Sequence, residues 1–389
     1  MIESGFHYLA TLALIAGCLA ILEQRYKETF FKHVPSIVLL YILVMVLASA
    51  GFWEQNEHIE RTYSAVRQNI LPSMIFLMLI QVDLRQVANL GPKMLLAFGL
   101  SVASLAAGFI VAFLLVKGVL PGDAWKNFAA LSGSWMGGTA NMVAVQGALD
   151  VSDTGMGYAL IVDSIDYALW VVFLLMLTPF APAFNAWTNA RDKSILKVGK
   201  KLESMMQEQA LPSNSTTLLF LLGVSLTVSV LCQSTGNLMP GTGFFGASAW
   251  VVMIATIMGI IASMTPARRV AGATDLANVM LFLIVALIAS RADFQDLSEA
   301  PIYVLAGLII LIVHALLMVI FAKIFRLDLF TCGVASLANV GGVASAPILA
   351  ATYSRFLIPV GVLMAMLGYV VGTAGGLTMG RILSALAGG

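Results

Sequence analysis

Residues 131–145 read LSGSWMGGTANMVAV, an apolar run interrupted by Gly133, Gly137 and Gly138 and by the polar Ser134, Thr139 and Asn141. A helix in lipid must satisfy its own backbone, because no water is there to do so. Glycine in a helix interior costs about 1 kcal/mol relative to alanine, so this segment reads as a helix that breaks. A second segment, SLANVGGVASAPILA (336–350), breaks the same way at Gly341 and Gly342. There Pro347 removes an amide and crowds the carbonyl of Val343. Irregular backbone at membrane depth survives only where protein or a cavity encloses it. Paired breaks in two halves of a chain point to a transporter binding site. Half-helix N-termini offer N–H groups to anions. Ser134, Thr139 and Asn141 supplement one break, and Asn339 and Ser345 the other. The alternative is small-residue packing, for which Gly133 and Gly137 have the right spacing. One glycine pair alone favours packing; two in register favour a site.

The rest of the chain agrees with a membrane setting. Of 389 residues, 60% are hydrophobic and 11% charged, against about 25% charged in soluble domains. This is the composition of an all-α, polytopic membrane protein. A net charge of +1 with no basic patch gives no sign of nucleic-acid binding. Cys18, Cys232 and Cys332 are far apart and form neither a disulfide framework nor a zinc motif. No cofactor motif, phosphate loop or nucleophile elbow is present, so an enzyme is not expected. An intramembrane protease would need its two aspartates on separate helices. The N-terminal segment reads as a retained first span.

Segments of about 20 apolar residues fall near 6–22, 36–53, 66–82, 93–117, 125–148 and 155–180, then near 216–232, 247–264, 272–290, 301–323, 329–351 and 356–385. A polar linker, 181–214, separates a first repeat (1–180) from a second (215–389), and 193–208 within it could form a surface helix. The halves resemble each other: Asp83 pairs with Asp293, Gly137 and Gly138 with Gly341 and Gly342, and Tyr167 with Tyr369, in constant order. In the second half the basic residues of the linker (Arg191, Lys193, Lys197, Lys200, Lys201), of TPARRVAG (265–272) and of AKIFRLD (322–328), with Arg381, share one face, which is cytoplasmic by the positive-inside rule. The first half gives no clear vote. Inverted repeats cannot arise from six full spans plus six, so 12 or 13 crossings are open, as are parallel repeats.

Asp163 and Asp166, in DSIDYALW (163–170), lie well inside a span and share a helix face. A carboxylate at the bilayer centre costs at least ~2.5–3.5 kcal/mol, so these two face a cavity, pair with a cation or carry a proton. Oxygen-rich surroundings suit a hard cation, and Na⁺ held by Asp163, Asp166 and Asn141 is the expected site. The competing reading is a structural pair neutralised by a basic partner. His314 is the other buried ionisable group. It is either a proton relay or a neutral, hydrogen-bonded core histidine. Asp275, Asn278 and Arg291 read as interfacial.

The two blocks, the segments LSGSWMGGTANMVAV and SLANVGGVASAPILAA, and DSIDYALW resemble a prokaryotic membrane family known as domain of unknown function 819. It is grouped with the cation:proton antiporters and anion transporters, which include sodium/proton exchangers and bile-acid sodium symporters. The resemblance implies an inverted-repeat fold with two broken helices, 125–148 and 329–351, crossing at mid-membrane in a core domain. A panel domain, often a dimer interface, holds the rest, and core moves against panel as an elevator or by rocking. In the exchangers the ion-binding aspartate follows the first crossing helix, the place Asp163 and Asp166 occupy. This chain has no matching charge on its last span and six spans per block where the bile-acid type has five. The expected function is Na⁺- or H⁺-coupled symport of a small anionic or zwitterionic solute, short peptides included, across the cytoplasmic membrane of a prokaryote, by a homodimer. A monovalent cation/proton antiporter and a non-transporting scaffold or channel-like protein are the alternatives.

Overall fold

A computed structural model describes residues 1–26, 36–54, 56–190, 213–241, 246–292 and 299–388. The first half contains α1 (Gly5–Tyr26), α2 (Ser36–Ser49), α3 (Glu57–Ile80), α4 (Leu84–Ala88), α5 (Pro92–Val116), α6 (Ala124–Gly137), α7 (Thr139–Leu149) and α8 (Asp153–Leu177). A 3₁₀ turn, Thr178–Phe180, leads into α9 (Ala181–Thr188). The second half contains α10 (Ser215–Gly236), α11 (Ala247–Ser263), α12 (Ala273–Ala289), α13 (Ala300–Phe325), α14 (Leu329–Val340), α15 (Gly342–Tyr353) and α16 (Ile358–Ala387). Apart from the short α4, these helices overlie the apolar segments of the sequence within a few residues, except at two places. α3 starts at Glu57, because Asn56 caps its first turn by accepting from Ile59 N at 3.0 Å. Helical backbone also runs to Thr188, into the stretch expected to be linker. The 193–208 surface helix, the linker cations and Asp293 lie outside the described residues. Among the described residues, α1, α5, α8 with its extension, α10, α13 and α16 are long and apolar enough to cross a membrane.

Neither broken segment crosses the layer. α6 and α7 fold back on each other as a hairpin. A Cβ built on Gly133 would lie 2.9 Å from Val145 Cγ2, and Lys126 Nζ donates to the Asp150 carbonyl at 3.5 Å. In a continuous helix residues 126 and 150 would be ~36 Å apart. The reversal is made by Gly138, at φ 89° and ψ 169°, a conformation open essentially to glycine alone. α14 and α15 form a second hairpin. The rings of Phe330 and Tyr353 meet at 5.2 Å, and a Cβ at Gly333 would touch Leu349 Cδ2 at 3.1 Å. Gly342, with φ 60°, turns that chain.

The hairpins enter from opposite faces. On the first face Trp53 donates to the Ser290 carbonyl (3.1 Å), Tyr63 to Asp153 Oδ1 (3.0 Å) and Lys117 to the Leu386 carbonyl (2.8 Å). The bases of α6 and α7 are there. On the second face Arg268 pairs with Asp83 at 3.2 Å, and Leu329 N donates to Asn185 Oδ1 at 2.8 Å; α14 starts and α15 ends there. Each half of the described chain therefore has five face-to-face helices, α1, α2, α3, α5 and α8 or α10, α11, α12, α13 and α16, plus one re-entrant hairpin. The expected 12 or 13 crossings, with two crossing broken helices, are corrected to this arrangement. Arg381 moves with the correction, since α16 runs from the second face to the first.

Packing follows the same division. α3 lies against α10, α11 and α12, α5 lies against α13, and α16 runs along α15 and then along α6. Glycine lets these backbones approach: a Cβ at Gly108 of α5 would sit 2.7 Å from the Ile310 carbonyl of α13.

The hairpin reading has a direct check. Lys126→Cys and Asp150→Cys should both react with a membrane-impermeant maleimide from one side of the membrane, and Tyr353→Cys from the other. Labelling of 126 and 150 from opposite sides would restore the straight-helix reading.

Candidate functional site

The two hairpin tips meet at mid-depth, between α8 and α16. A Cβ on Gly368 of α16 would lie 3.2 Å from the Met136 carbonyl and 3.5 Å from the Ala338 carbonyl. The carbonyl-rich ends of α6 and α14 thus converge on one point. Each tip is closed by a tyrosine from the opposite half. Tyr369 lies against Gly138, and Tyr167 against Gly341. Gly368 and Gly372 are required by this closeness, since a Cβ at Gly372 would sit 2.6 Å from Gly137 Cα.

The residues singled out from the sequence separate into distinct places. Ser134, Gly137, Gly138, Thr139 and Asn141 form the first tip. Asn339, Gly341, Gly342 and Ser345 form the second. Asn141 donates to the Gly137 carbonyl (2.6 Å) and accepts from Thr373 (2.6 Å), which ties the tip shut and fastens it to α16. Asn339 donates to Ser101 Oγ (3.0 Å) and to the Ala335 carbonyl (2.9 Å), while its buried Oδ1 has no hydrogen-bond partner.

Asp163 stands ten residues into α8, ~15 Å along its axis, or about half the ~30 Å hydrocarbon core. Its Oδ1 accepts from Trp135 Nε1 at 2.9 Å and Ser134 Oγ at 3.1 Å. Trp135 is fully buried and packs edge-on against Phe109 at 5.7 Å. Asp166 turns elsewhere. It is fully buried, neither oxygen has a hydrogen-bond partner, and its carboxyl fills the notch where Gly307 of α13 lacks a side chain. An ionised, uncompensated carboxylate there costs several kcal/mol, which a proton or a cation removes. The adjoining Gly307 and Val162 supply no side-chain oxygen for a cation. Asn141 and the two aspartates have separate partners: Asn141 bonds to Gly137 and Thr373, Asp163 to Ser134 and Trp135, and Asp166 lies against Gly307. Among the described residues no group of three or more His, Cys, Asp or Glu side chains is placed to hold a metal.

A family model described as "Protein of unknown function (DUF819)" matches residues 10–386. The chain belongs to the DUF819 family. It is also similar to a Bacillus subtilis (strain 168) protein described as "Uncharacterized membrane protein YjcL", at 25% identity over 379 residues, covering 93% of each chain. The match spans both hairpins and both helices that clasp them.

His314 of this DUF819 protein belongs to a polar chain behind the second tip. Trp170 Nε1 donates to Ser336 Oγ (2.8 Å), Ser336 is 2.8 Å from His314 Nε2, and His314 Nδ1 is 2.6 Å from Ser104 Oγ. Ser104 donates to the Ser101 carbonyl at 2.8 Å. Both ring nitrogens thus have hydroxyl partners, and the ring anchors α13 to α5 and α14. Thr373, Ser101, Ser104 and Ser336 have no role legible in the sequence, because single hydroxyls in apolar helices carry no periodic signal.

Trp135→Phe removes one of two donors from Asp163 and should lower stability by about 1.5–3 kcal/mol, read as a lower thermal-unfolding midpoint. Gly372→Val should cost about 1–3 kcal/mol by overpacking. Gly223→Val, at a position with open space around it, should leave the midpoint unchanged.

Proposed function

We propose that this protein is a secondary active transporter of a prokaryotic cytoplasmic membrane. It moves a small anionic or zwitterionic organic solute, short peptides included, by Na⁺- or H⁺-coupled symport. The observation that carries this reading is the meeting of two re-entrant tips at mid-depth beside a carboxylate. Backbone is broken there at a cost that a merely structural bundle has no need to incur. Odd numbers of crossings put the two halves in opposite orientations, which supports an inverted repeat, and inverted repeats with discontinuous helices at the midplane characterise many transporters. α5–α8 with α13–α16 form the moving core in this proposal, and α1–α3 with α10–α12 the panel and homodimer surface. Alternating access is the sliding of one group against the other. The bare carboxyl of Asp166 favours a proton at that position.

The orientation follows from charge. The sequence joining α9 to α10, both of whose adjoining ends lie on the second face, carries Arg191, Lys193, Lys197, Lys200 and Lys201. Arg85, Lys93, Arg268, Arg269, Lys323 and Arg326 lie towards that face too. The second face is then cytoplasmic. Cation/proton antiport is the second reading, and the paired aspartates on the helix after the first hairpin support it.

In proteoliposomes, a solute should accumulate only under a sodium or proton gradient. Asp166→Asn should abolish accumulation while leaving downhill exchange. Proton movement after adding Na⁺ or K⁺ alone, with no solute, would establish antiport instead. Unchanged ion and solute fluxes in both Asp163→Asn and Asp166→Asn would remove the coupling role.

A further inference from the structure

A recess of ≈ 250 Å³ opens on the first face where α3 and α7 meet α10 and α11. Its wall includes Arg67, Asp150, Gln68, Gln233 and Asn237, over a floor of Leu71 and Gly147. Among the described residues, Arg67 hydrogen-bonds to neutral acceptors: Nη1 donates to Tyr63 Oη at 3.2 Å and Nη2 to Gln146 Oε1 at 2.9 Å. Those bonds hold the guanidinium in place; among the described residues it makes no direct ion pair, and the carboxylate of Asp153 acts on it from behind Tyr63. Asp153 sits behind Tyr63, whose hydroxyl it accepts, and does not line the recess. Asp150 caps α7 in a left-handed conformation, φ 47° and ψ 52°. Lys126 reaches its backbone carbonyl, not its carboxylate, and no ion pair joins Asp150 to Arg67. Pro72, lacking an amide, also frees the Gln68 carbonyl, which Gln233 Nε2 reaches at 3.2 Å.

We infer that this recess is the outward-facing recognition site for a small zwitterion bearing a carboxylate and an ammonium group, of amino-acid or dipeptide size. Arg67 takes the carboxylate, for which a planar guanidinium is suited, and Asp150 takes the ammonium. A recess of this volume lies below the ~300–1,000 Å³ of drug-sized sites, which sets the size class. The recess also lies directly above the first hairpin tip. Leu71 seats directly on Gly147, so that no side chain fits there. About one helical turn deeper, a cavity of ≈ 10 Å³ is lined by Ile75, Ala144, Asn141, Tyr369 and Thr373, at the first hairpin tip. The Leu71–Gly147 contact thus separates the recess from the tip. This inference rests on the transport reading for its purpose, but the site it names can be tested by binding alone.

Binding to the purified full-length protein is measured by calorimetry with L-alanine, L-leucine, L-glutamine and alanyl-alanine, each beside its N-acetyl and its C-terminal amide form. At least one free zwitterion should bind, and its blocked forms about tenfold or more weaker. Arg67→Gln should remove the penalty for amidation, and Asp150→Asn the penalty for acetylation, with both free and blocked forms then binding at the weak level. If either variant lowers the ligand-free unfolding midpoint, the wild-type comparison of free and blocked forms decides by itself. No binding of any probe, equal binding of free and blocked forms, or unchanged preferences in both variants overturns the inference. Gradient-driven uptake that persists unchanged in Arg67→Gln would sink this site and leave the transporter reading standing.

Discussion

Reversing a polypeptide at the middle of a bilayer leaves peptide groups that lipid cannot satisfy, and the rest of this structure is arranged around that constraint. Two reversals placed tip to tip share one enclosure. α8 and α16 close its sides, and α16 comes near enough only because Gly368 and Gly372 present bare backbone to Met136, Gly137 and Ala338. Asn141 serves the same end by bonding across its own tip and to Thr373. The exchange of tyrosines, Tyr369 on Gly138 and Tyr167 on Gly341, means that neither half can close its own break.

Hydrogen bonding divides the two intramembrane aspartates that look equivalent in the sequence. Asp163 receives two hydrogen bonds from the end of α6. Asp166, three residues on, faces a glycine notch with no donor. One carboxyl is thus built into the hairpin tip, while the other lies at the packing seam of α8 with α13.

Most of the helical content is legible in the sequence, because hydropathy and span length are local properties. The breaks at Gly137–Gly138 and Gly341–Gly342 were legible too, since a glycine pair in an apolar run conflicts with helix formation wherever it lies. Whether the chain goes on or turns back at such a break is not a local property. A 25-residue apolar segment has the same hydropathy straight or folded, and Lys126 meets Asp150 only in the folded form. The crossing count depended on this one ambiguity, which made six spans per half look incompatible with inversion. The networks around His314 and Arg67 were hidden for a related reason: their partners are single hydroxyls and amides up to 210 residues away in sequence.

By itself, the sequence determined a polytopic helical membrane protein with two mid-span breaks and two aspartates on the helix after the first. These follow from composition, periodicity and the cost of glycine and charge in lipid. Only the tertiary structure decided that the breaks are hairpin turns entering from opposite faces and that their tips share one enclosure. It alone placed Asp163, and not Asp166, at that enclosure. Those outcomes turn on the backbone conformation of Gly138 and Gly342 and on which helix packs against which, and both are settled by long-range contacts that no window of sequence contains.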